Sequence, residues 1–315
     1  MTAVARRLAG FRELALILFI VLSGIVMSQL SAFFFTEGNL RSVVIGMVPG
    51  AIIAIGMAVL LASGGFDLSV AAVMALCGTI CAYLLNEGLA IPLAVGGALL
   101  LGAVIGSGNG VLVAFLRVNP LIATLGTLLV ARGLALVITE GYNISNLPPA
   151  FVRLGQEGPL DLPWMVWIMV GLVVLFDLAL RHTRFLRQVY YVGANERAAR
   201  LSGIRVDALR VFTYVLSGTL AASAGVLLAA RLNTAVPTAG QNLELTVIAA
   251  AVLGGASLTG GEGTVLGAVL GIAFLALLSN TLTLLHVSIF WQIVTTGIVL
   301  IAAVSLDMLL RRRQV

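Results

Sequence analysis

The sequence predicts a single all-α domain, residues 1–315, that crosses a membrane about ten times. Of the 315 residues, 60% are hydrophobic and only 10% are charged, whereas a soluble domain usually carries about 25% charged residues. Ten separate stretches are apolar enough to be spanning helices, which need about 20 residues each. The 35 glycines agree with close packing of helices inside a bilayer.

The ten apolar stretches follow one another along the chain. They cover residues 14–35, 42–62, 69–85, 89–116, 120–139, 162–180, 211–230, 243–257, 264–285 and 288–310. The eighth stretch is short, and two weaker stretches could merge or fail to cross, which gives a range of about eight to ten spans. The N-terminus resembles a signal peptide, but nine further apolar stretches favour an uncleaved first span.

The arginines predict the orientation of the chain. All 18 basic residues are Arg. With ten spans, most of them fall on one side, at positions 6, 7, 12, 117, 181–210 and 311–313, and only Arg41, Arg153 and Arg231 fall on the other. By the positive-inside rule both termini are expected in the cytoplasm. The loop at about 140–161 is then expected to be periplasmic and the loop at about 181–210 cytoplasmic. The net charge of +5 is explained by this orientation and is not taken as a sign of nucleic-acid binding.

Several enzymatic functions are excluded by missing residues. Without Lys the chain cannot complete the G-x-x-x-x-G-K-[ST] phosphate loop, so it cannot itself be an ATPase. The glycine-rich run at 260–263 is predicted to be a helix break. His182 and His286 are too far apart to argue for a metal site, and no Ser-His-Asp set can be assembled. Cys77 and Cys81 lie on one helix face and are predicted to pack as small apolar side chains.

The loop at 181–210 predicts a short helix with strong end signals. Asn195 can cap its N-terminus, Glu196 suits the first turn and can pair with Arg200, and Gly203 can end it. Small apolar residues give it a surface that could dock on a partner; the alternative is a surface helix without one. The predicted docking residues are Gly193, Asn195, Glu196, Ala198, Ala199, Arg200, Leu201, Ser202, Gly203 and Ile204.

Polar residues within the apolar stretches are candidates for a solute pathway. Asp67 is the acid in a predicted helix break at 63–70, where it could line the pathway or, with Ser69, cap the next helix at the cytoplasmic edge. Arg132 could pair with Glu140 or Glu244. The other candidates could bind a hydroxylated solute or bond a neighbouring helix; they are Asn109, Thr124, Thr127, Asn280 and Gln292.

Four ordered motifs resemble the permeases of ribose-type ABC importers. They are SGGFDLSV at 63–70, NPLIATLGTLLVARG at 119–133, VGANERAARLSGIRV at 192–206 and the run PTAGQNLELTVIAAAVLGGASLTGGEGTVLGAVLG at 237–271. Together they extend over most of residues 42–285. Two small departures from the family pattern, Phe66 for Ile and Ala71 for Gly, touch only the surroundings of Asp67.

The resemblance implies a transport subunit with a type II-like importer bundle in the bacterial inner membrane. It implies that this chain lines the pathway for a monosaccharide or a related hydroxylated solute and needs no cofactor of its own. ATP and Mg²⁺ would bind to separate cytoplasmic ATPase subunits docked at 195–204. A periplasmic solute-binding protein and a second permease chain, identical or related, would complete the complex. The alternatives are a nucleoside or sugar-derived signal as solute and, from another class, an ion-coupled secondary transporter.

Overall fold

The computed structural model describes residues 3–312, which are mostly α-helical. The helices are α1 (Ala3–Leu30), α2 (Glu37–Ala62), α3 (Val70–Asn86), α4 (Ile91–Ala114), α5 (Pro120–Thr139), α6 (Pro149–Gln156), α7 (Trp164–His182), α8 (Arg184–Ala194), α9 (Glu196–Leu201), α10 (Val206–Leu232), α11 (Leu243–Leu253), α12 (Val265–Leu284) and α13 (Ile289–Arg312). Two short strands, β1 (Ile144–Ser145) and β2 (Thr234–Ala235), pair antiparallel.

Each of the ten apolar stretches overlaps one helix of this set, so the predicted all-helical membrane bundle is confirmed. Six helices are long and apolar enough to cross a membrane: α2, α4, α5, α7, α10 and α12. Within the described residues, the apolar parts of the other four are shorter. The shortest is α11, with 11 residues, and the non-helical residues 254–264 follow it.

Helix α10 lies at the centre of the bundle, where it packs against α2, α3 and α4. Small residues permit this approach. A Cβ on Gly102 would meet the carbonyl oxygen of Gly218 at 2.5 Å, and a Cβ on Gly106 would overlap the carbonyl oxygen of Tyr214. The glycines at four-residue spacing on α4 therefore let the backbones of α4 and α10 come close together, as such spacing does in other membrane helices.

A second glycine-lined contact joins α11 to α12. A Cβ on Gly267 would overlap the carbonyl of Gly254, and one on Gly271 would overlap the carbonyl of Ala250. The C-terminal end of the short helix α11 is thus held against α12 by backbone-to-backbone packing. Elsewhere, Cys77 and Cys81 are free thiols buried inside α3, as the sequence predicted.

Three elements within the two long loops were not predicted. The loop at about 140–161 contains α6, whose Phe151 is fully buried and whose Gly155 lies against the backbone of Arg231. The same loop contributes β1, and the other long loop contains α8. These helices have only 8 and 11 residues, far fewer than the about 20 apolar residues that mark a spanning helix.

Candidate functional site

The predicted helix in the 181–210 loop is present as α9, and its ends are formed by the residues that the sequence indicated. The side chain of Asn195 accepts a hydrogen bond from the N–H of Ala198 at 3.0 Å. At the other end Gly203 has a φ of 82°. The N–H of Gly203 donates to Arg200 and that of Ile204 donates to Ala199, which is the paired pattern of a Schellman C-cap. The local sequence therefore predicts where this six-residue helix begins and ends.

Five charged side chains tie α9 to its neighbours. Arg200 donates to Glu196 at 2.9 Å and to Asp207 at 2.7 Å, and Arg210 donates to the second oxygen of Glu196 at 2.9 Å. Arg117, from the link between α4 and α5, lies 3.2 Å from Asp207. Sequence reasoning found only the Glu196–Arg200 pair, because the other partners are distant along the chain.

These contacts change how readily two members of the cluster titrate. Partial burial acts to raise the pKa of Glu196, but hydrogen bonds from Arg210 and Arg200 outweigh it, and the pKa lies below its usual value. Hydrogen bonds to Asp207 and Glu196 raise the pKa of Arg200. The cluster therefore keeps its charges near neutral pH.

The predicted docking residues divide between two faces of α9. Ala199 is only 3% exposed because it packs into the chain's own core, whereas Leu201 is 91% exposed. Ala198, Arg200 and Ser202 are also exposed. The surface open to a partner is therefore the one around Leu201, and a bulky substitution at Ala199 would disturb the loop itself.

Glycines seat the start of α9 directly on the bundle. A Cβ on Gly193 would overlap the carbonyl oxygen of Ala62, at the end of α2, and the backbone nitrogen of Gly261. The N–H of Gly261 donates to that same Ala62 carbonyl at 3.0 Å. Close by, the hydroxyl of Tyr190 on α8 donates to the carbonyl of Gly263 at 2.8 Å. We name residues 62–64, 193–194 and 260–263 the glycine seat.

The segment that follows the glycine seat contains the buried carboxylate of Asp67, which is 1% exposed. One of its oxygens accepts from the N–H of Ser69 at 2.8 Å and from the hydroxyl of Ser69 at 2.5 Å. The Asn109 side chain donates to the Ser69 hydroxyl at 3.0 Å, and the Thr127 hydroxyl donates to Asn109 at 2.5 Å. We name these four residues the Asp67 network; it joins the start of α3 to α4 and α5.

Helix α10 completes the surroundings of this network. The Ser217 hydroxyl donates to the other Asp67 oxygen at 3.3 Å, and the Tyr214 hydroxyl donates to the Phe66 carbonyl at 3.0 Å. Both oxygens of Asp67 therefore have protein donors, and in this conformation they are closed to a solute. The hydrogen bond from the N–H of Ser69 closes an Asx turn just before α3. The N-cap residue of α3 is Ser69, and no side-chain bond caps the helix, so the capping alternative is not what the structure shows; a role in the pathway stays a prediction.

The remaining pathway candidates lie in other parts of the bundle. The Thr124 hydroxyl donates to the carbonyl four residues earlier, at Pro120. Asn280 exchanges two hydrogen bonds with Asn39, at 2.7 and 3.1 Å, and so joins α12 to α2. Gln292 closes the turn between α12 and α13 through Thr283 and other groups there. Each of these makes the local or interhelical bond that was the alternative to lining a pathway.

Arg132 forms neither of the ion pairs that the sequence suggested. Its Nη1 donates to the carbonyls of Pro237 and Ala239, at 2.8 and 3.0 Å, in the segment that leads into α11. Glu244 lies in the first turn of α11, the helix into which this segment leads. No ion pair joins Arg132 to Glu244 or Glu140 among the described residues.

A membrane bundle with an exposed, capped helix seated on its inner helices defines a transport subunit. Residues 39–304 match the family model described as branched-chain amino acid transport system / permease component, and the chain belongs to this family. It is the permease subunit of an ABC importer, a multi-pass protein of the bacterial inner membrane and not itself an enzyme. Membership implies an ATPase and a solute-binding protein as partners.

Curated relatives span several solutes. The chain is 42% identical to the ribose import permease protein RbsC of Escherichia coli (strain K12), over 93% of this chain and 92% of the relative. It is 38% identical to the L-arabinose transport system permease protein AraH of the same strain, over 87% and 84%. It is 37% identical to the autoinducer 2 import system permease protein LsrC of E. coli (strain K12 / DH10B), over 82% and 76%.

Proposed function

We propose that this permease imports a monosaccharide of the ribose class. The similarity to RbsC over nearly the full length of both chains supports this solute class, and the lower identity to AraH and LsrC makes a pentose other than ribose, or a sugar-derived signal, the second candidate. The sugar reaches the permease from a periplasmic solute-binding protein. A second permease chain, identical or related, completes the pathway.

Energy for import comes from a separate cytoplasmic ATPase that holds ATP and Mg²⁺ and docks at the Leu201 face of α9. The observation that carries this proposal is the seating of α9. Its end signals make it a rigid body, Leu201 stands free of the chain, and Gly193 touches the ends of both α2 and the 254–264 segment. A push on Leu201 would therefore move backbone that leads directly to Asp67.

The mechanism that follows is a switch between two packings of the bundle. Closure of the ATPases would displace α9, and the glycine seat would pass the displacement to residues 63–69. The Asp67 network would have to break or shift for α3, α4 and α5 to separate. Packed interfaces have discrete alternatives rather than continuous ones, which makes such a displacement a switch.

Reconstitution tests the proposal. The permease, its ATPase and its binding protein are placed in liposomes with the binding protein and labelled sugar outside and MgATP inside, and uptake is measured for ribose, arabinose and leucine. We expect uptake of a pentose that requires ATP and the binding protein. Uptake of leucine in place of sugar would refute the solute class, and uptake by the permease alone, driven by an ion gradient, would refute the importer mechanism.

A further inference from the structure

Arg132 and Glu244 lie on two helices that are joined at the end of the bundle opposite α9, because Arg132 bonds to the segment that leads into α11. Arg132 lies in the second half of α5, and Glu244 lies in the first turn of α11. Helix α10 begins beside α9 and ends at Leu232, where β2 pairs with β1. Strand β1 follows the end of α5, and α11 follows β2. Arg132 and Glu244 therefore lie toward the end of the bundle that holds the β1–β2 pair, which the proposed orientation makes the side of solute entry.

Glu244 has an acceptor atom without a donor. Its Oε2 is buried and has no hydrogen-bond partner among the described residues. A buried carboxylate oxygen normally has a donor, because burial without one carries a desolvation penalty. The hydroxyls of Thr79 and Thr281 are also buried without a partner, but Glu244 contributes the one carboxylate oxygen of this kind among the described residues. It points to a group that this single chain does not supply.

Arg132, by contrast, has hydrogen-bond donors that are not used within the described part of the chain. Its Nη1 is used by the carbonyls of Pro237 and Ala239, while Nε and Nη2 make no hydrogen bond within the described part of the chain. A guanidinium has five N–H donors in a fixed fork, so several remain. An acceptor without a donor and donors without acceptors thus come from different helices. The bonds of Arg132 to Pro237 and Ala239 hold it against the segment that leads into the first turn of α11, where Glu244 lies.

This pairing suits a hydroxyl group better than it suits either a cation or an anion. A hydroxyl donates one hydrogen bond and accepts others, so one sugar hydroxyl, or two adjacent ones, can satisfy Glu244 and Arg132 together. An anion would be repelled by the carboxylate, and a cation by the guanidinium. Gln241 and Asn242, both exposed, add neutral polar groups at the start of α11.

We infer that Arg132 and Glu244 form a solute-contact site in the entry half of the pathway, where Glu244 accepts from and Arg132 donates to hydroxyls of the passing sugar. The inference rests on the proposed function, since it needs a hydroxylated solute. It assigns to α5 and α11 a recognition step that follows release from the binding protein. It also gives the short α11 a reason to be packed so tightly on α12.

The test uses Glu244→Gln in the reconstituted importer, because this change removes the carboxylate charge while removing no side-chain bond to another residue. The binding protein is supplied saturated with sugar, and both sugar imported and ATP hydrolysed are measured. We expect about tenfold less sugar per ATP, which matches the loss of a hydrogen bond to a charged group, with ATP hydrolysis changed less than twofold. Glu244→Asp, which keeps the charge, should restore part of the ratio.

Glu140→Gln is the matched control, since Glu140 is an exposed acid just beyond the end of α5; its ratio should equal that of the wild type. An unchanged ratio in Glu244→Gln would overturn the site. The site would also be overturned if Glu244→Gln lost sugar uptake and ATP hydrolysis in parallel and had a lower unfolding midpoint, because that result would show a structural role for Glu244. If the wild-type complex imports no sugar at all, the proposed function fails instead, and that outcome is distinct from both.

Discussion

The glycine seat joins two regions that are stabilised in opposite ways. On the α9 side, exposed and half-buried arginines and acids pair with one another, as in Arg200 with Glu196 and Asp207. On the inner side, Asp67 is buried, and its donors are hydroxyls and a backbone N–H, with no arginine in ion-pair range in the described chain. Exposed ion pairs contribute little to stability. Loss of a buried acceptor costs more, because it leaves each of its donors buried without a hydrogen-bond partner.

The difference separates a surface that a partner can rearrange from an interior that resists rearrangement. Pairs around Glu196 can exchange one partner for another at small cost, because water and salt screen them. The Asp67 network cannot lose its centre without leaving donors buried and unpaired. We therefore expect force applied at α9 to be transmitted through the seat rather than absorbed in it, and the following predictions test this contrast.

Removal of the Asp67 carboxylate should have the largest effect. Asp67→Ala leaves the N–H and hydroxyl of Ser69 and the hydroxyl of Ser217 without their acceptor, so the free energy of unfolding should fall by about 2–3 kcal/mol. Unfolding in mixed micelles with increasing SDS measures it. Ser217→Ala removes only the longest of these bonds, 3.3 Å, and should cost about 0.5–1 kcal/mol. Equal losses in the two variants would contradict the central role of the carboxylate.

Sequence reasoning predicted more of the α9 side than of the Asp67 side. Asn195, Glu196, Arg200 and Gly203 act within one short helix, so their spacing alone predicts their contacts. The partners of Asp67 on α4, α5 and α10 come from distant positions, and nothing in one sequence says which helices meet. Asn109 and Thr127 were suspected as polar residues at depth, but their bond to each other and the role of Ser217 depend on packing.

The glycine seat should be almost as sensitive as the Asp67 network. In Gly193→Ala the new methyl group would overlap the Ala62 carbonyl and the Gly261 nitrogen. Both neighbours are backbone and cannot turn away, so we expect a loss of about 1–3 kcal/mol and at least a tenfold fall in ATP-driven uptake. Gly171→Ala is the control, because a Cβ there meets nothing within 4 Å. Wild-type uptake by Gly193→Ala would mean that the seat transmits nothing.

The charged cluster on α9 should respond only weakly. Glu196→Gln should lower the free energy of unfolding by less than about 1 kcal/mol, and less still in high salt. The pKa of Glu196 is depressed in the folded chain, so its contribution is complete above the unfolded value of about 4.3 and is lost as the pH falls through the folded pKa. The difference between wild type and variant should therefore be constant from pH 7 to 5 and shrink in stronger acid. A difference that shrinks between pH 7 and 5 would contradict this assignment.

A substitution of Leu201 should have the smallest effect on the stability of the fold. Its effect on transport should be one of the largest. The Leu201 side chain is 91% exposed, so Leu201→Asp should leave the free energy of unfolding within about 0.5 kcal/mol of wild type. The same change puts a charge at the centre of the proposed docking face, where it would have to be desolvated against the ATPase. Permease–ATPase binding should then weaken at least tenfold, measured by pull-down from detergent at increasing ATPase concentration.

Leu160→Asp provides the comparison, because Leu160 is 82% exposed in the loop that carries α6 and β1, at the other end of the bundle. It should bind the ATPase as the wild type does. If both variants bind normally, the docking face lies elsewhere on the chain. If Leu201→Asp alone loses binding while its unfolding is unchanged, stability and coupling reside in different faces of a six-residue helix. Ala199 would then serve the fold, and Leu201 would serve the partner.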